Sequence, residues 1–80
     1  MNVKILGTGC PKCRQVEALI QGVAATDGLA LEVEKVTAIP DIMAYGVMQT
    51  PGLVIDGELK ASGRIPSRAE IETWLHAGSQ

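Results

Sequence analysis

The chain has 80 residues, the length of one small domain, and we expect residues 1–80 to form a single domain. Its net charge is −2, and it has no basic stripe or tail, so a nucleic-acid partner is not expected. No apolar run approaches the ~20 residues of a membrane span, and the N-terminal segment is too quickly interrupted for a signal peptide. We therefore expect a cytoplasmic protein with no membrane partner.

A strand over 2–6 and a helix over 11–25 are predicted for the N-terminal part. Pro11 suits the first helical position, where its missing N–H costs nothing and its fixed φ fits. The apolar residues of the helix recur at the spacing of one helical face, which predicts a buried stripe: Val16, Leu19, Ile20, Val23 and Ala24.

A second strand over 29–36 and a short helix over 41–46 are predicted next. The strand should bury one face, because Leu29, Leu31 and Val33 alternate with polar or small residues.

A hairpin follows, with strands over 53–55 and 58–62. Asp56-Gly57 is a strong signal for the two-residue turn between them. In the second hairpin strand, Leu59 and Ala61 are both predicted to face inward.

The last helix is predicted over 68–77 and should end at Gly78. Ser67 and Glu70 form a capping box at its start. The element order is therefore β-α-β-α-β-β-α. The first two strands should be parallel, because a helix connects them, and the last two antiparallel. This predicts an α/β protein with a four-stranded mixed sheet flanked by three helices.

Cys10 and Cys13 are the only cysteines, and they lie where the first strand passes into the first helix. Unpaired N–H groups and the helix dipole favour a thiolate at a helix start, where a cysteine pKa of ~8.5 can fall to roughly 3.5–7.5. Cys13 lies on the buried stripe, three residues before Val16, whereas Cys10 should face outward. Lys12 and Arg14 are either solvated helix charges or aids to the Cys10 thiolate.

In a reducing cytoplasm such a pair is more often catalytic or metal-binding than structural. A copper or zinc binding module is the alternative to redox chemistry. Copper chaperone domains also place Cys-x-x-Cys after a first strand, but usually with Met two residues earlier, where this chain has Thr8. Two thiolates also fall short of the four ligands of a structural zinc site.

The combination of Cys-x-x-Cys, Thr50-Pro51 and the Asp56-Gly57 hairpin resembles the thioredoxin superfamily in its minimal form, as in glutaredoxins and small prokaryotic thioredoxin-like proteins. The resemblance covers nearly the whole chain. It implies a minimal thioredoxin-like fold and a cis peptide bond before Pro51, which would lie beside the Cys10–Cys13 pair. It also implies that the backbone at Thr50 pairs with an extended substrate segment.

Several positions depart from the family pattern. Gly9 stands where thioredoxins carry Trp, and Lys12 where glutaredoxins usually carry an aromatic residue. Lys4 stands about where thioredoxins place a buried acid. Gly63 is followed by Arg64 rather than by the Gly and acidic residue that hold glutathione in glutaredoxins.

The resemblance implies a small thiol–disulfide oxidoreductase that needs no bound cofactor and no metal. Cys10 would attack a substrate disulfide and Cys13 would resolve the mixed disulfide, with Pro11 and Lys12 tuning the site and Thr50 and Pro51 holding the substrate. Its partners would be a protein disulfide and either a reductase or a small thiol as electron donor.

Three further residues have two interpretations each. Glu17, one turn beyond Cys13, either takes the proton of that thiol or is a surface residue. Tyr45 and Met48 either line the substrate groove near Thr50 or pack in the core.

Overall fold

A computed structural model of the chain describes residues 1–9 and 11–77. Cys10 was predicted at the start of the first helix and Gly78 at the end of the last, and both lie outside the described residues. The observed element order is the predicted one: β1 (Asn2–Leu6), α1 (Pro11–Asp27), β2 (Glu32–Val36), α2 (Ile39–Ala44), β3 (Gly52–Ile55), β4 (Glu58–Ser62) and α3 (Arg68–Ala77).

The four strands form one mixed sheet in the order β2-β1-β3-β4. β1 runs parallel to β2, with Lys4 opposite Glu34 and Ile5 opposite Lys35. β1 is antiparallel to β3, and β3 is antiparallel to β4. The α/β fold class and the minimal thioredoxin-like architecture are therefore confirmed.

The larger of two apolar clusters lies between the sheet and the helices α1 and α3, on what we call the α1 face. Each fully buried aliphatic side chain there contributes about 1.5–3 kcal/mol relative to exposure. The strands and the two helices supply its buried residues: Val3, Ile5, Leu53, Ile55 and Ala61 from the strands, and Val16, Ile20, Val23, Ile71 and Leu75 from the helices.

A smaller cluster lies on the opposite side of the sheet, the α2 face. It joins Leu6 and Val54 of the sheet to Ile42 of α2 and to Val47 in the loop after α2. Side chains at odd and even positions of β1 thus point to opposite faces of the sheet, because side chains alternate along a strand.

The prediction of a buried face on β2 was wrong. The strand begins at Glu32, and Val33 is 36% exposed. Leu29 and Leu31 precede the strand and pack, partly buried, against the α1-face cluster. β2 and β4 are the two edge strands, and the buried strand residues of that cluster come from β1, β3 and β4, so β2 is the edge strand that contributes no buried residue.

The prediction that Leu59 and Ala61 face inward together was also wrong. The β3–β4 register shifts between Leu53 and Val54, so that Leu53 pairs with Ala61 but Val54 pairs with Leu59. An extra residue in one strand of a pair moves the following side chains to the other face. Ala61 is therefore buried on the α1 face, whereas Leu59 remains 39% exposed.

The hairpin turn lies where it was predicted, whereas the bounds of two helices differ from their predictions by two residues. Asp56 (φ 50°) and Gly57 (φ 84°) both have the positive φ that a type I′ hairpin turn requires. α1 extends two residues past its predicted end, and α2 begins earlier than predicted, at Ile39, with Pro40 in its first turn.

Within the described part of the chain, no helix combines the length and apolar character needed to cross a membrane.

Candidate active site

Cys13 lies in the first turn of α1 and is 6% exposed. It faces the sheet on the same stripe as Val16, as the helical spacing predicted. Pro11 and Lys12 are exposed on the same turn. The helix start therefore buries one sulfur while its neighbouring residues remain accessible to solvent.

Gly7, immediately after β1, is the contact point that the sequence did not reveal. A Cβ atom at Gly7 would collide with Cys13 Sγ and would lie 3.7 Å from Thr50 Cβ. The side chains of Cys13 and Thr50 thus converge above the bare backbone of Gly7. The sequence predicted only a flexible turn here, although the alternation of Val3 and Ile5, continued by two residues, puts Gly7 on the α1 face.

Thr50 and Pro51 form the loop that enters β3. Their peptide bond is cis, as the resemblance implies. Pro51 is fully buried, and its carbonyl oxygen accepts a hydrogen bond from the Gly63 N–H at 2.8 Å. Of the predicted site residues, Cys13 and Thr50 are thus brought together, and Pro51 is the next residue along the chain.

A cleft of about 310 Å³ opens beside Cys13 on the α1 face. Arg14 and Glu17 of α1 form one wall, and Lys35 of β2 with the following Thr37 form another. Glu17 and Lys35 make an ion pair across it, with 3.0 Å between Oε2 and Nζ. The carboxylate is the less accessible partner, since the Glu17 side chain is 21% exposed and the Lys35 side chain 63%.

Lys4 lies on the α2 face, opposite to the side on which Cys13 packs. Its Nζ donates a hydrogen bond to Tyr45 Oη at 2.8 Å and lies 3.9 Å from a carboxylate oxygen of Glu34. The hydrogen bond to Tyr45 is the main cause that raises the pKa of Lys4. Lys4 is therefore engaged with Tyr45 and Glu34 on the far side of the sheet from the cleft.

The two alternatives for Tyr45 and Met48 resolve differently. Tyr45 is half-buried against the α2-face cluster and holds Lys4. Met48 is 88% exposed, two residues before Thr50, so it does not pack in the core.

Arg64 lies just after the Gly63 N–H that binds Pro51. Its guanidinium makes a bidentate pair with the Glu70 carboxylate, with distances of 2.9 Å and 2.7 Å. This pair, together with the Ser67 N–H, lowers the pKa of Glu70 to about 2. Arg64 therefore binds a carboxylate in the first turn of α3.

No group of three or more His, Cys, Asp or Glu side chains is placed to hold a metal ion within residues 1–9 and 11–77. The copper or zinc alternative gains no support from this part of the chain.

The fold and the convergence of Cys13 with the cis-proline loop define a small thioredoxin-fold protein. A family model described as a thioredoxin domain matches residues 1–76. A protein named thioredoxin from Methanothermobacter thermautotrophicus is 38% identical over 75 residues, which cover 94% of this chain and 97% of that relative. A thioredoxin from Methanocaldococcus jannaschii is 37% identical over 73 residues, covering 91% and 84% of the two chains.

The chain therefore belongs to the thioredoxin-domain family. Membership supports a thiol–disulfide oxidoreductase function in general terms. The matched relatives are named as thioredoxins, so the glutaredoxin-like subtype is not confirmed.

Proposed function

We propose that this chain acts as one domain that exchanges a Cys10–Cys13 dithiol with the disulfides of other proteins. The observation that carries the proposal is the position of Cys13. It is buried in the first turn of α1, where its sulfur packs on Gly7 beside Thr50 of the cis-proline loop.

The reaction would proceed in two exchange steps. The Cys10 thiolate attacks one sulfur of a substrate disulfide, so that a mixed disulfide forms and the other substrate sulfur leaves as a thiolate. Cys13 then attacks the Cys10 sulfur, forms the Cys10–Cys13 bond and releases the second substrate thiolate. Two electrons pass from the dithiol to the substrate, and no bound cofactor is required.

The burial of Cys13 supports its role in the second step. Cys13 is 6% exposed, so it is poorly accessible to the disulfide of another protein, but its sulfur can meet a sulfur three residues away on its own chain. Cys10 is therefore the proposed nucleophile and Cys13 the resolving residue. Pro11 and Lys12, both exposed on the same turn, would tune the nucleophile.

Thr50 and Pro51 would hold the substrate. An extended peptide can pair with the backbone of Thr50, in the manner of strand addition to an exposed backbone. The exposed side chain of Met48, two residues earlier, would offer a flexible apolar contact to varied sequences. Protein disulfides are therefore the proposed substrates, and a reductase or a small thiol in the cytoplasm would return the electrons.

Two serine variants test the assigned roles. Cys13→Ser should trap a mixed disulfide through Cys10 when the reduced protein meets a disulfide-bonded test protein such as insulin. Cys10→Ser should trap nothing and should lose exchange activity. The measurement is non-reducing gel electrophoresis with mass spectrometry, and the trapped species should disappear on adding dithiothreitol. The assignment fails if Cys10→Ser retains full exchange activity while Cys13→Ser traps no partner.

A further inference from the structure

The cleft beside Cys13 contains a carboxylate whose role the two exchange steps leave unexplained. Glu17 follows Cys13 by four residues on α1, so their Cβ atoms lie on the same side of the helix, ~6 Å apart. Both residues line the cleft of about 310 Å³. A water molecule occupies ~30 Å³ in the liquid, so the space admits a water between the thiol and the carboxylate.

The charged groups around this cleft are few. α1 contributes Arg14 and Glu17, and β2 contributes Lys35, whereas β1 contributes only the apolar Ile5 and the segment after β1 only glycines. Lys4 and Glu34 lie on the opposite face of the sheet. Among the described residues that line the cleft, Glu17 is thus the one carboxylate.

Lys35 fixes the direction of this carboxylate. Its Nζ lies 3.0 Å from Glu17 Oε2, which ties α1 to the edge strand β2. One carboxylate oxygen is held toward β2, and the carboxylate has further lone pairs for a water in the cleft. The Lys35 side chain is the more exposed of the two, so its effect should be smaller than that of the carboxylate.

From this geometry we propose that Glu17 accepts the proton of the Cys13 thiol during resolution, and that Lys35 is a positioning residue for Glu17. The inference rests on the proposed function, since it concerns the second exchange step. The Cys13 S–H bond breaks, the proton passes through water to the Glu17 carboxylate, and the resulting thiolate attacks the Cys10 sulfur. The Cys10–Cys13 bond forms, and the substrate thiolate leaves with its electron pair and takes a proton back from Glu17 or from solvent.

The aromatic disulfide 5,5′-dithiobis(2-nitrobenzoate) separates the two steps. Reduced protein should release one coloured thiolate when Cys10 attacks and a second when Cys13 resolves, and stopped-flow absorbance records both. Glu17→Gln should leave the first release unchanged. General base catalysis typically raises a reaction rate by about 10²–10⁴-fold, and in the variant water can act as a weaker base. The second release should therefore slow by roughly tenfold or more at pH 6.5.

The pH profile distinguishes proton transfer from a structural effect. At higher pH, hydroxide can take the thiol proton in place of the carboxylate, so the rates of the two proteins should converge as the pH rises toward ~9. Lys35→Met should slow the second release less than Glu17→Gln does, and Lys35→Arg should restore it, because arginine can remake the ion pair. Glu58→Gln is the matched control, since it removes the carboxylate of the Lys60–Glu58 ion pair in the distant hairpin.

An unchanged second release in Glu17→Gln at pH 6.5 overturns the role of Glu17 and leaves the proposed function standing. A deficit of the same size at every pH also overturns it, because a misplaced helix would slow both acid and alkaline reactions. A wild-type protein that releases only one thiolate overturns both proposals. Circular dichroism of each variant verifies that it is folded.

Discussion

The helices α1 and α3 begin in opposite ways. At the start of α3, the Glu70 N–H donates to Ser67 Oγ at 3.1 Å and the Ser67 N–H donates to Glu70 Oε1 at 3.1 Å. Arg64 clamps the same carboxylate. The first turn of α1 has no acidic residue, and it holds the buried Cys13 beside the exposed Lys12.

This difference shows how one fold uses a helix start for two purposes. A carboxylate in the first turn of α3 pairs with the unpaired N–H groups and the positive end of the helix dipole, which stabilises the helix. The first turn of α1 lacks that carboxylate, so its positive end remains available to a thiolate. α1 is held instead by packing, with Cys13 on Gly7 and the apolar stripe on the sheet.

The largest effect is expected from Gly7→Ala, which breaks the packing at the start of α1. The added methyl group would collide with Cys13 Sγ, so the helix start must shift. Overpacking of this kind costs typically 1–3 kcal/mol, and we expect a loss of about that size in the free energy of unfolding, measured by urea denaturation. Exchange should slow as well, because Cys13 and Thr50 meet at this point.

Gly22→Ala is the matched control, since the same methyl group would meet no atom within 4 Å at that position of α1. Alanine in a helix interior is favoured over glycine by roughly 0.5–1 kcal/mol, so this variant should be more stable than the parent protein. Equal effects of the two substitutions would show that Gly7 is not a contact point for Cys13.

A smaller effect, on stability alone, is expected from Glu70→Gln at the start of α3. Because the pKa of Glu70 is lowered from 4.5 to about 2, its ion pair stabilises the folded state above pH 4.5, and this contribution is lost as the pH falls toward 2. The urea midpoint of the variant should therefore lie below that of the parent at neutral pH and meet it near pH 2. The rate of disulfide exchange should be unchanged. A difference in urea midpoint between variant and parent that stays constant down to pH 2 would contradict the role of the carboxylate.

The smallest effect is expected from Lys12→Glu, which gives the first turn of α1 an acid as in α3. The new charge should disfavour the proposed Cys10 thiolate, but an exposed charge is screened, so the first release of coloured thiolate should slow by only about threefold at low salt. The difference should shrink at about 0.5 M salt, where screening is stronger. Lys60→Glu in the distant hairpin is the control, and equal slowing by both variants would indicate a general charge effect.

The elements and the site could be predicted to different extents. The hairpin turn at Asp56-Gly57 and the capping box of Ser67 and Glu70 depend on neighbouring residues, and both were predicted. The cis bond before Pro51 came only from the family resemblance. The resemblance also implied that Pro51 lies beside the cysteine pair, but the close approach of Cys13 and Thr50 to Gly7 was missed, because it depends on segments that are more than thirty residues apart in the chain.

Local residue patterns were sufficient to locate the helices, the strands and the hairpin turn and to place Cys13 on the inner side of α1, because periodicity and capping act over a few residues. The folded chain was needed to show which two strands lie at the sheet edges, where a one-residue shift separates Leu59 from Ala61, and which carboxylate shares a cleft with Cys13. These features depend on strand pairing and helix packing across the whole chain, and a local residue pattern is compatible with more than one such pairing.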